Sequence, residues 1–214
     1  MYKIAISGKA GSGKDTFGQM LSNKLQVSVY HDLAIIAFAD PIKEIGRKMF
    51  PHVSRQKFFG PSYKRNEVIP GAVDSKGNPL TIRVLLQEIG ENSKKYNPKI
   101  WINCFDKSLQ KAVKGGKELV IASDLRFIDE FKYLKEKDFI LIRIVRGDNT
   151  SSMTHVSETQ QDQIKNEEFD LVIQNNDSLS KLGDKAKKLA DLMKSVKFNS
   201  ADEFRRILKL KSFL

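Results

Sequence analysis

The segment Gly8-Lys9-Ala10-Gly11-Ser12-Gly13-Lys14-Asp15-Thr16 follows directly on the apolar run Tyr2–Ile6. A strand, a glycine turn and a helix start, in that order, make a phosphate-binding loop. Glycines at 8, 11 and 13 remove the Cβ atoms that would keep backbone N–H groups from closing around an anion. The helix opening at Gly13 adds its positive dipole end and unpaired N–H groups. Lys14 then reaches the β- and γ-phosphates of a nucleoside triphosphate. Gly11, Ser12, Gly13, Lys14, Asp15 and Thr16 are the candidate ATP-binding residues.

The usual pattern places Ser or Thr straight after the lysine, as a magnesium ligand. Asp15 stands there instead, with the hydroxyl of Thr16 one place on. A carboxylate is also a hard oxygen ligand, so Asp15 and Thr16 are the candidate Mg2+ residues, directly or through water. This variant points to a phosphoryl-transfer enzyme and away from a GTPase switch.

Other candidate groups lie further along. Leu119–Ser123 is an apolar run ending in Asp124, with Arg126 and Glu130 following. An acid at the carboxyl end of a buried strand can organise magnesium or substrate, or cap the next helix. Arg126 beside it can clamp phosphate oxygens bidentately. Glu130 is expected four residues on along the same helix, holding Arg126 or accepting from a base or sugar. Lys64-Arg65 offers cations for a second phosphate. Arg83 and Gln87, at i and i+4, share a helix face opposite an apolar stripe. Gln87 can donate to and accept from a nucleobase edge, and Trp101 can stack on a base or fill the core. Arg143 and Arg146 flank the end of a strand, and Gly147–Ser152 after them has the glycine and cations of a closing lid. His155–Glu158 lacks metal spacing, which argues against zinc. His31 and His52 have no chemical context.

The elements that must position these groups alternate between short β-like runs and amphipathic stretches. That alternation predicts an α/β fold, a parallel sheet flanked by helices. Strands are expected at 3–7, 33–39, 118–123, 139–145 and 171–174. Helices are expected at 13–25, 40–50, 81–95, 99–113, 126–137, 179–196 and 200–214. Asp40 is read as the cap of its helix, with Pro41 at the first position. Residues 51–79, rich in Pro and Gly, read as an irregular insertion of functional type.

At 214 residues the chain reads as a single domain, 1–214, with about 51–114 as a helical insertion and about 146–168 as a lid. Hydrophobic residues make up 40% and charged residues 29%, ordinary for a globular protein. No apolar run reaches the ~18 residues of a membrane span, so no membrane partner is expected. Strand 1 starts at once, which leaves no targeting segment, and the single Cys104 suits a reducing compartment. Both features predict a cytoplasmic protein. The net charge of +11 suits either nucleic acid or small anions. No run interleaves aromatic with basic residues as a single-strand binder would. No stable nucleic-acid partner is therefore expected.

Taken in order, these motifs resemble those of the phage and viral deoxynucleoside monophosphate kinases. The matching segments are Ile6–Gly8 with Ser12–Thr16, including the unusual Asp15, and Pro41-Ile42-Lys43. They continue with Arg83, Leu86, Gln87, Gly90 and Trp101, then Asp124, Arg126 and Glu130. Val145-Arg146, Thr154-His155 with Ser157-Glu158, Asp170–Ile173, Asn175-Asn176 and Ser178-Leu179 complete the match. The resemblance implies the phosphate-loop nucleoside monophosphate kinase fold, three layers around a five-stranded parallel sheet. It implies transfer of the ATP γ-phosphoryl, with Mg2+, to the 5′-phosphate of a deoxynucleoside monophosphate. It also implies a homodimer, working in a host-cell cytoplasm if the source is viral. Lys14, Asp124, Arg126 and Arg146 become candidate catalytic groups, with Arg146 and Asn175 also at ATP. Lys43, Arg65, Arg83, Gln87, Trp101, Asp124, Arg126 and Glu130 become candidate acceptor-binding residues. The chain departs from the family in carrying Ala10 and Gly11 where basic residues stand, and in a shorter insertion between Phe50 and Thr81. Phosphomevalonate kinase, with a similar loop, and a nucleic-acid-stimulated ATPase are the alternatives.

Overall fold

A computed structural model describes residues 1–26, 32–147, 156–195 and 200–210, with backbone alone for 156–159 and 210. The chain forms two compact units, residues 1–37 with 108–214, and residues 38–107.

The first unit is built on a five-stranded, wholly parallel sheet. Its strands are β1 (Tyr2–Ser7), β2 (Leu33–Ile36), β5 (Leu119–Leu125), β6 (Ile140–Val145) and β7 (Leu171–Gln174), in the order β2-β5-β1-β6-β7. β1 lies at the centre, so the loop that leaves it stands mid-sheet at the carboxyl edge, where open α/β sheets bind ligands. The α/β class with a five-stranded parallel sheet is as the sequence predicts.

Ile4, Ile6, Ile121, Ile142, Ile144 and Ile173 face one side of the sheet. There they pack on α1 (Lys14–Gln26) and α8 (Leu179–Ser195) through Phe17, Leu21, Leu25, Leu182, Leu189 and Met193. The terminal helix α9 (Ala201–Leu210) adds Phe204 and Leu208 to this core. At its start Ser200 Oγ accepts from Glu203 N at 3.2 Å, which caps the first turn. Arg205 of α9 donates to Asp138, Asp170 and Phe139 O, which fastens the helix beneath β6 and β7. On the other side lie α6 (Ile128–Glu136) and α7 (Val156–Gln163). Phe131 meets Phe169 edge-on at 5.4 Å there.

The second unit holds α2 (Asp40–Met49), α3 (Arg55–Phe59), a 3-10 turn (Ser62–Asn66), the antiparallel pair β3 (Val68–Val73) and β4 (Pro79–Thr81), and α4 (Ile82–Tyr96). α5 (Ile100–Lys114) crosses from this unit into the first. Val53, Phe58, Ile69, Leu80, Ile82 and Leu85 form its core. Phe38 stacks on Phe105 with ring centres 4.0 Å apart.

Three sequence expectations are corrected here. β2 ends at Ile36 and is only partly buried, with Ile35 44% exposed, because it is an edge strand. Asp40 is inside α2 and Ala39 is the N-cap; the Asp40 carboxylate pairs with Lys43 at 2.8 Å. Residues 51–79 are not irregular throughout, since they contain α3, the 3-10 turn and most of a hairpin.

Candidate active site

Gly8 has φ +158° and Gly13 φ +91°. A Cβ on Gly8 would stand 2.4 Å from Ser12 Oγ and 2.7 Å from Ile144 O; one on Gly13 would stand 2.5 Å from Asn175 Nδ2. Both positions therefore demand glycine on steric grounds. Ser12 N donates to Lys9 O at 3.1 Å, which closes the turn, and α1 begins with Phe17 N donating to Gly13 O at 2.8 Å. Asn175, 7% exposed, braces the loop by donating from Nδ2 to Ser12 O at 2.8 Å.

Lys14 is 4% exposed, and its Nζ lies 3.4 Å from Lys9 O, folded back along the loop. Two hydroxyls at the loop, Ser7 Oγ and Ser12 Oγ, are buried without a hydrogen-bond partner. Buried unpaired hydroxyls cost free energy, so their retention marks a site that a polar ligand completes. The curvature, the helix N-terminus, Lys14 and these hydroxyls fit a polyphosphate.

Asp15 and Thr16 are both exposed in the first turn of α1. Among the described residues no group of three His, Cys, Asp or Glu forms a metal cage. An exposed carboxylate and hydroxyl beside a polyphosphate loop still fit magnesium. That ion keeps several waters and is usually held by one or two carboxylates plus substrate phosphates.

Beside β1, the pairing with β5 runs Ala5 to Ala122 and then Ser7 to Leu125. β5 thus carries one extra residue at Ser123-Asp124, a bulge next to the start of the phosphate loop. Bulges re-aim side chains near sites. Asp124 belongs to β5 itself, which runs to Leu125, two residues beyond the expected end at Ser123. Arg126 precedes α6, which starts at Ile128 and not at 126. Glu130 consequently serves the helix entry: its Oε2 accepts from Arg126 N at 2.9 Å and Phe127 N at 3.0 Å. The carboxylate is 6% exposed and fixes the Arg126 backbone.

Arg143, on β6 three positions before Arg146, is a structural residue. It is 8% exposed, donates to Ile164 O at 2.5 Å and Gln161 O at 2.8 Å, and stacks over Phe169 at 5.1 Å. Burial lowers its pKa from the ordinary value, and the Asp162 charge opposes that shift. Arg146 is exposed after β6. Part of the expected lid, 148–155 with His155, lies outside the described residues, as do the side chains of Ser157 and Glu158 and all of His31. Sequence reasoning also missed the Lys9–Asp162 pair at 2.7 Å, which ties the loop to α7. No local pattern announces a contact across 153 positions.

In the second unit, Arg83 Nε donates to Asn66 Oδ1 at 2.7 Å and its Nη2 to Ser62 O at 3.2 Å. Arg65 donates to Phe58 O at 3.3 Å and Gly60 O at 3.4 Å. Arg65 and Arg83 thus meet the same stretch, 58–66, from the end of α3 through the 3-10 turn. Gln87 lies half-buried on α4, one turn beyond Arg83. Lys43 pairs with Asp40 and lies over the Phe59 ring at 5.3 Å. Trp101 is 5% exposed, with Nε1 donating to Gly90 O at 2.9 Å. That is a core placement, bracing α4 three residues past Gln87.

The described residues contain no helix long and apolar enough to cross a membrane. A protein of Acanthamoeba polyphaga mimivirus, provisionally named a deoxynucleotide monophosphate kinase, is 27% identical over 189 residues, which are 84% of this chain and 91% of that protein. Among solved structures, an unliganded sugar kinase from Janibacter sp. HTCC2649 aligns over 93% of this chain and 99% of its own, at 13% identity and a TM-score of 0.46. A Thermus thermophilus protein aligns over 92% and 100%, at 13% identity and 0.42. The family model for deoxynucleotide monophosphate kinase matches residues 47–186, well over half of the 214. The chain belongs to the deoxynucleotide monophosphate kinase family, enzymes that phosphorylate deoxynucleoside monophosphates.

Proposed function

We propose that the phosphoryl donor is ATP, held on the loop Gly11–Thr16, and that the product pair is a deoxynucleoside diphosphate and ADP. The observation that carries this is the loop itself: two sterically obligatory glycines, a braced turn and Lys14 at a helix N-terminus. Donor and acceptor are both polyanions, so the protein's main work is positioning and charge neutralisation. Lys14 extends from Lys9 O to the β- and γ-phosphates. Asp15 and Thr16 would hold magnesium, which neutralises the phosphate oxygens and orients them for transfer. Arg126 takes the acceptor phosphate, with Glu130 fixing the Arg126 backbone, and Asp124 organises magnesium or substrate from the end of β5. Arg83 and Arg65 add cations, and Lys43 holds the entry of α2. Gln87 reads the base edge, while Trp101 braces the helix that bears it. Arg146 neutralises the group in transfer. The acceptor phosphate is already ionised, so no strong general base is required.

The homodimer, the host-cell cytoplasm and a phage or viral source rest on the resemblance. The absence of a stable nucleic-acid partner rests on the scattered lysines. Residues 51–114 form the acceptor-binding part of one kinase domain, and 146–168 the lid.

The test is ADP formation in a coupled assay over a panel of deoxynucleoside and ribonucleoside monophosphates, mevalonate 5-phosphate, DNA and RNA. ADP should form stoichiometrically with a deoxynucleoside monophosphate. ATP turnover that needs DNA or RNA, or that prefers mevalonate 5-phosphate, would refute the proposal.

A further inference from the structure

Two consecutive asparagines follow β7 and bond in opposite senses. Asn175 Nδ2 donates to Ser12 O at 2.8 Å, in the phosphate loop. Asn176 Oδ1 accepts from Gly147 N at 2.7 Å, at the residue after Arg146. The amide orientations are fixed by the partners, because a carbonyl only accepts and an N–H only donates. Asn175 is pressed against the loop, since a Cβ on Gly13 would come within 2.5 Å of its Nδ2.

The turn bearing this pair is itself anchored at both ends. Asn175 N donates to Val145 O at 2.7 Å, which joins it to the end of β6. Lys185 of α8 donates to Gln174 O and lies 3.8 Å from Asp177. Ser178 O accepts from Leu182 N at 3.2 Å in the first turn of α8. A short, pinned turn thus touches the loop with one side chain and the Arg146–Gly147 strand exit with the next.

We propose that Asn175 and Asn176 are a pair of positioning residues. Asn175 sets the curvature of the phosphate loop. Asn176 fixes the main chain just after Arg146. The pinned turn holds the two in register, so the loop and Arg146 keep a constant relation. This rests on the reading of the loop as the donor site and of Arg146 as the cation at the transferring group. Neither asparagine side chain has to touch a ligand. Small misplacement is enough to matter, because a shift of about 1 Å can cost about 10²-fold in rate.

The opposite bond senses supply the test. Changing Asn to Asp removes the Nδ2 donor and keeps acceptor oxygens. Asn175→Asp, Asn175→Ala, Asn176→Asp and Asn176→Ala are made in the full chain. Steady-state kinetics use ATP with a deoxynucleoside monophosphate that the wild type accepts. Amide hydrogen exchange is read on the nucleotide-free protein. Both Asn175 variants should raise KM for ATP about tenfold or more, the scale of one buried hydrogen bond. Asn176→Ala should lower kcat about tenfold while KM for ATP stays within about threefold. Asn176→Asp should recover most of that loss. Gly147 N–H should exchange about tenfold faster in Asn176→Ala and near the wild-type rate in Asn176→Asp.

The proposal is overturned if the two Asp variants behave alike, or if Gly147 exchange ignores Asn176→Ala. A wild type that transfers no phosphoryl group from ATP overturns the donor-site reading instead, and this pair's role with it. An active wild type with unresponsive asparagines overturns this proposal alone.

Discussion

Lys9 Nζ lies 2.7 Å from Asp162 Oδ1, so the phosphate loop is clasped by the last turn of α7. The pair is partly exposed, at 34% and 58%, and as a surface ion pair it contributes about 0–1 kcal/mol to stability. Its larger effect is on the field at the loop. Asp162 cancels a positive charge at the loop proposed to hold the donor phosphates. Asp162→Asn should therefore lower KM for ATP, by about two- to fivefold at low salt and less at high salt. Lys9→Ala should raise it. A weaker ATP interaction in Asp162→Asn would mean that the clasp holds the loop in shape.

Glu130 shapes the helix entry beside Arg126, the residue proposed to hold the acceptor phosphate. Its carboxylate accepts from the amides of Arg126 and Phe127, and Glu130→Ala leaves both without that partner. The loss should be about 1–2 kcal/mol of stability, the scale of a lost helix cap. Arg126→Ala should weaken every accepted monophosphate by a similar factor, more than about tenfold. Binding titrations over several bases read the difference. Unequal losses across bases for Arg126→Ala would contradict its assignment to the phosphate.

The sequence carried the loop clearly because glycine spacing after a strand leaves few other folds, and the steric clashes at Gly8 and Gly13 bear this out. It carried α1, α4 and α8 because their apolar residues recur at helical spacing. It hid the β3–β4 hairpin. Val68 and Val73 are exposed, Pro70-Gly71 interrupts the strand, and the turn depends on Asp74 Oδ1 accepting from Lys76 N and Asn78 N. Such a turn is local side-chain chemistry without hydrophobic alternation. The pairing of Glu130 with Arg126 was legible, but its form was not. Reading both on one helix face assumed a helix from 126, and the helix starts at Ile128. The position of Arg143 near Arg146 was visible in the sequence and its burial was not. Its guanidinium is spent on Gln161 O and Ile164 O.

Trp101 separates two ideas of base recognition. Its N–H is taken by Gly90 O and its ring is almost wholly enclosed. Trp101→Phe removes that bond and should cost about 1–3 kcal/mol of stability, read by thermal unfolding. The ranking of bases should change little, whereas Gln87→Ala should change it strongly. A changed ranking in a Trp101→Phe protein of unaltered stability would restore a direct base contact.

Asp15 replaces the usual hydroxyl and stands exposed beside Thr16. Asp15→Asn should raise the magnesium concentration needed for half-maximal activity more than it raises KM for ATP. Magnesium titrations at fixed ATP measure this. An unchanged titration would leave the metal to Thr16 and water.

The central claim is that Lys14 on this loop carries the donor phosphates. The direct measurement is kcat of Lys14→Ala beside its thermal unfolding. The account expects a fall of at least about 10³-fold, the scale of losing a phosphoryl-stabilising group. The variant should remain folded, because Lys14 is not part of the apolar core that α1 forms with the sheet. A folded Lys14→Ala protein that keeps a tenth or more of wild-type turnover would contradict it.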